Sequence, residues 1–140
     1  MAIELIPLTV ATITLRDPIV LPETPSGTRI IIEVDAAKFE GERFSGTLKG
    51  VAAADWLTVG PDMTGTLDVR ATIETHDGAL VFNYYRGRLD LSKPPGEAPT
   101  YAAPLYETGD ARYAWLNKVQ AIAKGALDGQ TLTYDIYEVR

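Results

Sequence analysis

Asp77-Gly78 sits between two runs rich in β-branched and aromatic residues, Thr64–His76 and Ala79–Gly87, and nothing else in the chain constrains its fold as strongly. An Asp-Gly pair flanked by alternating apolar residues is a strong short-range signal for a β-hairpin. If the pair is a two-residue loop, Thr75 opposes Leu80, Ile73 opposes Phe82, Ala71 opposes Tyr84 and Val69 opposes Arg86 on one face. The other face takes His76/Ala79, Glu74/Val81, Thr72/Asn83, Arg70/Tyr85 and Asp68/Gly87. One face is apolar and the other carries charge, as expected of a half-buried antiparallel ribbon.

Asp128-Gly129 repeats this logic near the other end. Centring a turn there pairs Gly125/Leu132, Ala123/Tyr134, Ala121/Ile136 and Val119/Glu138 on one face, with Lys124, Ile122 and Gln120 on the other. Carrying the alternation backwards points Trp115, Asn117, Val119, Ala121 and Ala123 inward. Further strand candidates are Met1–Leu15, Thr28–Phe39, Phe44–Val51 and Tyr101–Thr108. Asp17–Gly27 and Asp90–Pro99 read as loops, and Ala52–Trp56 as one helical turn stopped before Gly60-Pro61. With 140 residues there is room for one domain, 1–140. Hairpins without a long helix predict an all-β fold, an antiparallel β-barrel of roughly eight to ten strands.

Composition narrows the function classes. A net charge of −6 with singly scattered Lys and Arg argues against nucleic-acid partners and an anionic membrane surface. There is no cysteine and one histidine, so disulfides, thiolate nucleophiles and multi-histidine metal sites are outside the chain's means. No phosphate-binding or dinucleotide glycine pattern occurs, and no cofactor or metal is expected. The N-terminal residues alternate and are interrupted by Glu4 and Pro7, unlike a signal peptide, and no run reaches membrane-spanning length; a cytoplasmic protein is expected. Tyr84, Tyr85, Tyr101, Tyr106 and Tyr137 are more exposed-type aromatics than one small barrel encloses easily, which predicts a homo-oligomer, most simply a dimer.

GERFSGTLKG, ADW, LDVRATIETHDGALVF, YETGDARYAWLN and YDIYEV occur in this order along nearly the whole chain. Together they resemble the small bacterial and fungal family catalogued as domain of unknown function 3237. The resemblance implies a compact β-barrel whose members look like companions of small-molecule catabolism. One departure is that Ala52, Ala53 and Ala54 stand where the family commonly has glycines before its Asp-Trp pair. If flexibility there serves a ligand, this chain is the stiffer member.

Several residue groups are candidates for chemistry. Asp55 beside Trp56 suits general acid–base work, because apolar surroundings raise a carboxylate pKa; equally, the Asp caps a turn and the Trp plugs the barrel end. Glu107 precedes Tyr113, Trp115 and Asn117, and an inward Asn117 either satisfies backbone or meets a ligand. Arg70 opposite Tyr85, with Asp68 and Glu74 nearby, reads as an anion site or as a salt-bridge ladder. His76 at the hairpin tip reads as solvated. The expected enzyme is a cofactor-independent isomerase, lyase or hydrolase of a small cyclic or aromatic compound. Asp55 and Glu107 would exchange protons, Arg70, Tyr113 and Asn117 would hold an oxyanion, and Trp56, Trp115 and Tyr85 would line the pocket. The alternative is a non-catalytic carrier or sensor of a small apolar ligand.

Overall fold

Thr75 decides how the central hairpin closes. A computed structural model describes all 140 residues, Met1–Arg140, and in it β6 (Thr64–Thr75) and β7 (Leu80–Asp90) are antiparallel neighbours. The Thr75 N–H donates to the Ala79 carbonyl at 2.8 Å, closing a three-residue loop, His76-Asp77-Gly78, rather than a two-residue one. The Thr75 hydroxyl accepts the Ala79 N–H at 2.8 Å and donates to Asp77 at 2.6 Å. Gly78 takes a φ of 89°, the left-handed conformation that ends a three-residue hairpin loop.

The consequence is a one-residue slip against the expected register: Ile73 pairs with Val81, not Phe82, and Arg70 with Tyr84, not Tyr85. A slip of one moves every side chain of a strand to the other face. Val81, Asn83 and Tyr85 are therefore inside, while Leu80, Phe82 and Tyr84 are outside. Of the five tyrosines counted as too many for one small barrel to enclose, Tyr85 and Tyr106 are buried within it.

The second hairpin, β10 (Ala121–Asp128) and β11 (Thr131–Val139), turns at Gly129-Gln130, with Gly129 at a φ of 61°. Gly125 opposes Tyr134 and Ala123 opposes Ile136. This register differs from the expected one by two residues, so the inward face survives unchanged.

The remaining strands are β1 (Leu5–Leu15), β2 (Ile19–Thr24), β3 (Gly27–Glu40), β4 (Gly46–Leu48), β5 (Ala54–Val59), β8 (Thr100–Ala102) and β9 (Leu105–Glu107). Eight of the eleven strands close an antiparallel ring in the order β1-β3-β5-β6-β7-β8-β10-β11 and back to β1. β2 extends the edge of β3, β4 bridges β3 and β6, and β9 pairs with β7. The helical turn expected over Ala52–Trp56 is instead the start of β5.

A strand was expected through Tyr113 and Trp115, but Ala111–Lys118 is a 3₁₀ helix. Asp110 caps it by accepting the Arg112 N–H at 2.9 Å, as side-chain caps do for backbone donors that begin a helix. This helix and its neighbours close one barrel end. Phe44 sits among Phe39, Tyr106 and Tyr113 at ring-centroid distances of 6.1, 5.5 and 6.3 Å, and Leu116 is fully buried beside them.

If the Thr75 hydroxyl sets the register, Thr75→Val should lower stability by about 1–3 kcal/mol, since it leaves a buried N–H without that acceptor. Thr75→Ser should retain most of it. Chemical unfolding of both variants checks this, and a valine variant as stable as the parent would count against the hydroxyl.

Candidate functional site

Inward alternation along the ring leaves a cavity of about 100 Å³ inside the barrel, toward the end opposite the aromatic plug. Leu15, Leu89, Leu127 and Leu132, each at or next to a strand end, ring its mouth. Its walls are Ile13, Val34, Phe39, Leu57, Leu67 and Val69, and into it project Asp55, Asn83, Tyr85 and Tyr134. Gly125 makes room for one of these: a Cβ there would meet the Tyr134 ring at 2.6 Å.

Asp55 is the one charged group among the lining residues. The β5–β6 ladder pairs Asp55 with Val69 and Thr58 with Thr66 but nothing between them. In that gap the Asp68 N–H donates to Asp55 Oδ1 at 3.0 Å. Burial pushes the Asp55 pKa up to about 6; the Asp68 N–H bond works against this and the Asp68 charge adds to it. Tyr85 and Tyr134 stand edge to face, ring centroids 5.8 Å apart, and are only 8% and 2% exposed. Burial holds both phenols well above the ordinary tyrosine range, and the Asp55 carboxylate adds to that in each. Asn83 is 4% exposed and its Oδ1 has no hydrogen-bond partner. The Tyr134 hydroxyl has no close partner either; its one hydrogen-bonding neighbour is the Tyr85 phenol, a contact that raises the Tyr85 pKa and lowers that of Tyr134. A proton acceptor, two phenol donors and an amide thus share one largely apolar cavity.

Of the residues expected to form a site, the structure brings Asp55 and Tyr85 together here and places the other six elsewhere. Trp56 follows Asp55 and so faces outward, where the exposed Arg70 guanidinium lies 4.6 Å from its ring centroid in a surface cation–π stack outside the lumen. Glu107 is exposed opposite Phe82, on the outer side of the wall from Asp55. Tyr113 is in the end plug and donates to Asp77 at 2.8 Å. Trp115 is half-buried under Arg43, whose guanidinium is 4.6 Å from the ring centroid. Asn117 is exposed, accepting the Thr108 N–H at 2.8 Å and donating to the Thr108 carbonyl at 2.9 Å. His76 shares a surface contact of 3.2 Å with Ser45, and no group of three His, Asp or Glu side chains is placed to hold a cation. Asn83 and Tyr134 were not among the expected site residues. Tyr134 was signalled by its inward place in the second hairpin, whereas the slipped register hid Asn83.

The profile of a protein family of unknown function, DUF3237, matches residues 3–139, and the chain belongs to that family. A UPF0311 protein of Bradyrhizobium diazoefficiens is 28% identical, with 93% of each chain covered. A β-barrel-like protein from Acinetobacter baumannii, known from its crystal structure, is 25% identical at a TM-score of 0.87, covering 100% of this chain and 98% of that one. A protein from Penicillium herquei described as an enzyme shares the fold at a TM-score of 0.71 and 22% identity, covering 99% and 94%.

The Asp55 shift has a stability consequence. Its folded pKa of about 6 lies above the ordinary 3.8, so the protonated form is favoured by folding. That contribution is complete below about pH 4 and is lost as pH rises through about 6, at a cost on the order of 3 kcal/mol. Asp55→Asn keeps an oxygen for the Asp68 N–H and cannot ionise. It should match the parent near pH 4 and exceed it in stability near pH 8, read by denaturant unfolding at both values. Equal stability at both would contradict the burial of the charge.

Proposed function

We propose that this member of the DUF3237 family is a cofactor-independent enzyme, an isomerase, lyase or hydrolase, that turns over a small cyclic compound inside the barrel lumen with Asp55 as general base and acid. The observation that carries this reading is a lone carboxylate, raised to about 6 by burial, lining the same cavity as two buried phenols. At neutral pH such a carboxylate is ionised and still basic enough to take a proton, which is where general catalysis works best. In this mechanism one Asp55 oxygen removes a proton from the substrate, giving a neutral carboxylic acid and an oxyanion. Tyr85 and Tyr134, whose pKa values keep them protonated, donate hydrogen bonds to that oxyanion in surroundings where such bonds are strong. The same Asp55 proton is then returned, to a different atom in an isomerisation or to the leaving group in an elimination. Glu107 takes no part, because it lies outside the wall.

A shared fold does not carry a function with it, so the Penicillium herquei neighbour's description as an enzyme adds only that this barrel architecture is compatible with catalysis. The carrier reading is favoured by the predominantly apolar lining. The two are separated by recovering ligand after incubation: an enzyme changes it and a carrier returns it intact.

With a substrate in hand, Asp55→Asn should lower kcat/KM by about 10²–10⁴-fold. The parent enzyme's kcat/KM should rise with pH through about 6 as the base ionises, and the asparagine variant should lose that inflection. Turnover by Asp55→Asn at the parent rate would overturn the assignment.

A further inference from the structure

We infer that the lumen selects a single-ring compound without negative charge that carries both a hydrogen-bond donor and an acceptor, such as a cyclic hydroxy-ketone or its enol, and rejects carboxylates of the same size. The inference rests on the lumen being the site proposed above, and it names what that site admits.

Size comes first. An apolar cavity of about 150 Å³ is known to take up one benzene ring, and the lumen measures about 100 Å³. One ring enters if the long, partly buried leucines at the mouth move aside, and a second ring has no room. Polarity comes next. Asn83 Oδ1 is a deeply buried acceptor with no partner, and leaving such a group unmet is costly. The Tyr134 hydroxyl is equally buried; its oxygen faces the Tyr85 phenol, and its own proton has no close acceptor and is left to donate. A ligand that meets both groups must bring one donor, for Asn83, and one acceptor, for Tyr134. A hydrocarbon ring meets neither, and a simple ketone meets only one.

Charge decides the rest. No Lys, Arg or His is among the residues lining the cavity, and Asp55 is there. A carboxylate ligand would enter without a counter-charge beside a carboxylate already desolvated, which should weaken binding by about 10²–10³-fold against its neutral analogue. The chain's nearest arginine on β6, Arg70, is outside, stacked on Trp56.

The test titrates the whole protein with three probes built on one ring: α-hydroxycyclohexanone, cyclohexanone and cyclohexanecarboxylate. Binding is followed by NMR at the Asn83 side-chain amide and the Leu67 and Val69 methyls. The hydroxy-ketone should bind most tightly, the ketone about 10-fold more weakly for want of one hydrogen bond, and the carboxylate not detectably. Asn83→Leu should erase the difference between hydroxy-ketone and ketone, while Asp55→Asn should let the carboxylate in. A carboxylate that binds the parent as tightly as the hydroxy-ketone overturns the selectivity and leaves the lumen as the site. If no probe moves any lumen resonance, the lumen reading falls, and this inference with it. The probe series needs only the parent protein, so the outcome stands even if Asn83→Leu fails to fold.

Discussion

The Asp77 carboxylate ties together the three parts of the barrel that matter most. It accepts hydrogen bonds from the Thr75 hydroxyl and the Tyr113 phenol, and the Arg112 guanidinium lies 3.3 Å away. Those bonds, Thr75 first, hold its pKa below the ordinary carboxylate range. Through Thr75 it fixes a three-residue loop, and the loop fixes which face of β7 is inside. Through Tyr113 and Arg112 it fastens the 3₁₀ helix over one barrel end. The lumen residues Asn83 and Tyr85 therefore owe their inward positions to a contact at the far tip of the hairpin.

That dependence explains what could be read from the chain and what could not. Strand alternation located both hairpins and the barrel class, because period-two patterning survives any even error in register. The second hairpin was misplaced by two residues, and Ala121, Ala123, Gly125, Tyr134 and Ile136 still came out on the correct side. The first was misplaced by one, which turned β7 inside out, set Arg70 against Tyr85 and left Asn83 unnoticed. Asp-Gly alone does not distinguish a two-residue from a three-residue loop; a buried threonine two positions before the Asp did so here. Trp115 and Asn117 were misread for a different reason. Asp110 is a helix cap, and a capped turn cancels the alternation that was carried back through it.

The two barrel ends divide the work. At the plugged end, aromatic rings pack edge to face, a geometry that adds to their burial. At the open end the ring of leucines is only partly buried, so that end gives way more readily. An ionised Asp55 in a largely apolar lumen works against stability, and it is tolerated because the plug, the Asp77 clamp and the closed ladder hold the frame independently of it. A barrel has no free edges within its ring to fray in response.

One stretch of the family likeness falls wholly on the frame. In ETGDARYAWLN, Thr108, Asp110, Arg112, Tyr113 and Asn117 all bond to backbone or to the Asp77 tip, and Glu107 faces solvent. None of them reaches the lumen. The segment leading into Asp55 tells the same story at closer range. Ala53 and Ala54 are buried in the wall, and the Ala53 carbonyl accepts the Val34 N–H at 3.0 Å, tying the strand start to β3. Alanines here leave less backbone freedom than glycines would, so Asp55 is presented from a stiff support. A stiff support suits a carboxylate that must stay desolvated and aimed. The likeness thus covers the frame and part of the lumen: Asp55 lies in ADW and Tyr134 opens YDIYEV, whereas Asn83 and Tyr85 fall outside the shared stretches.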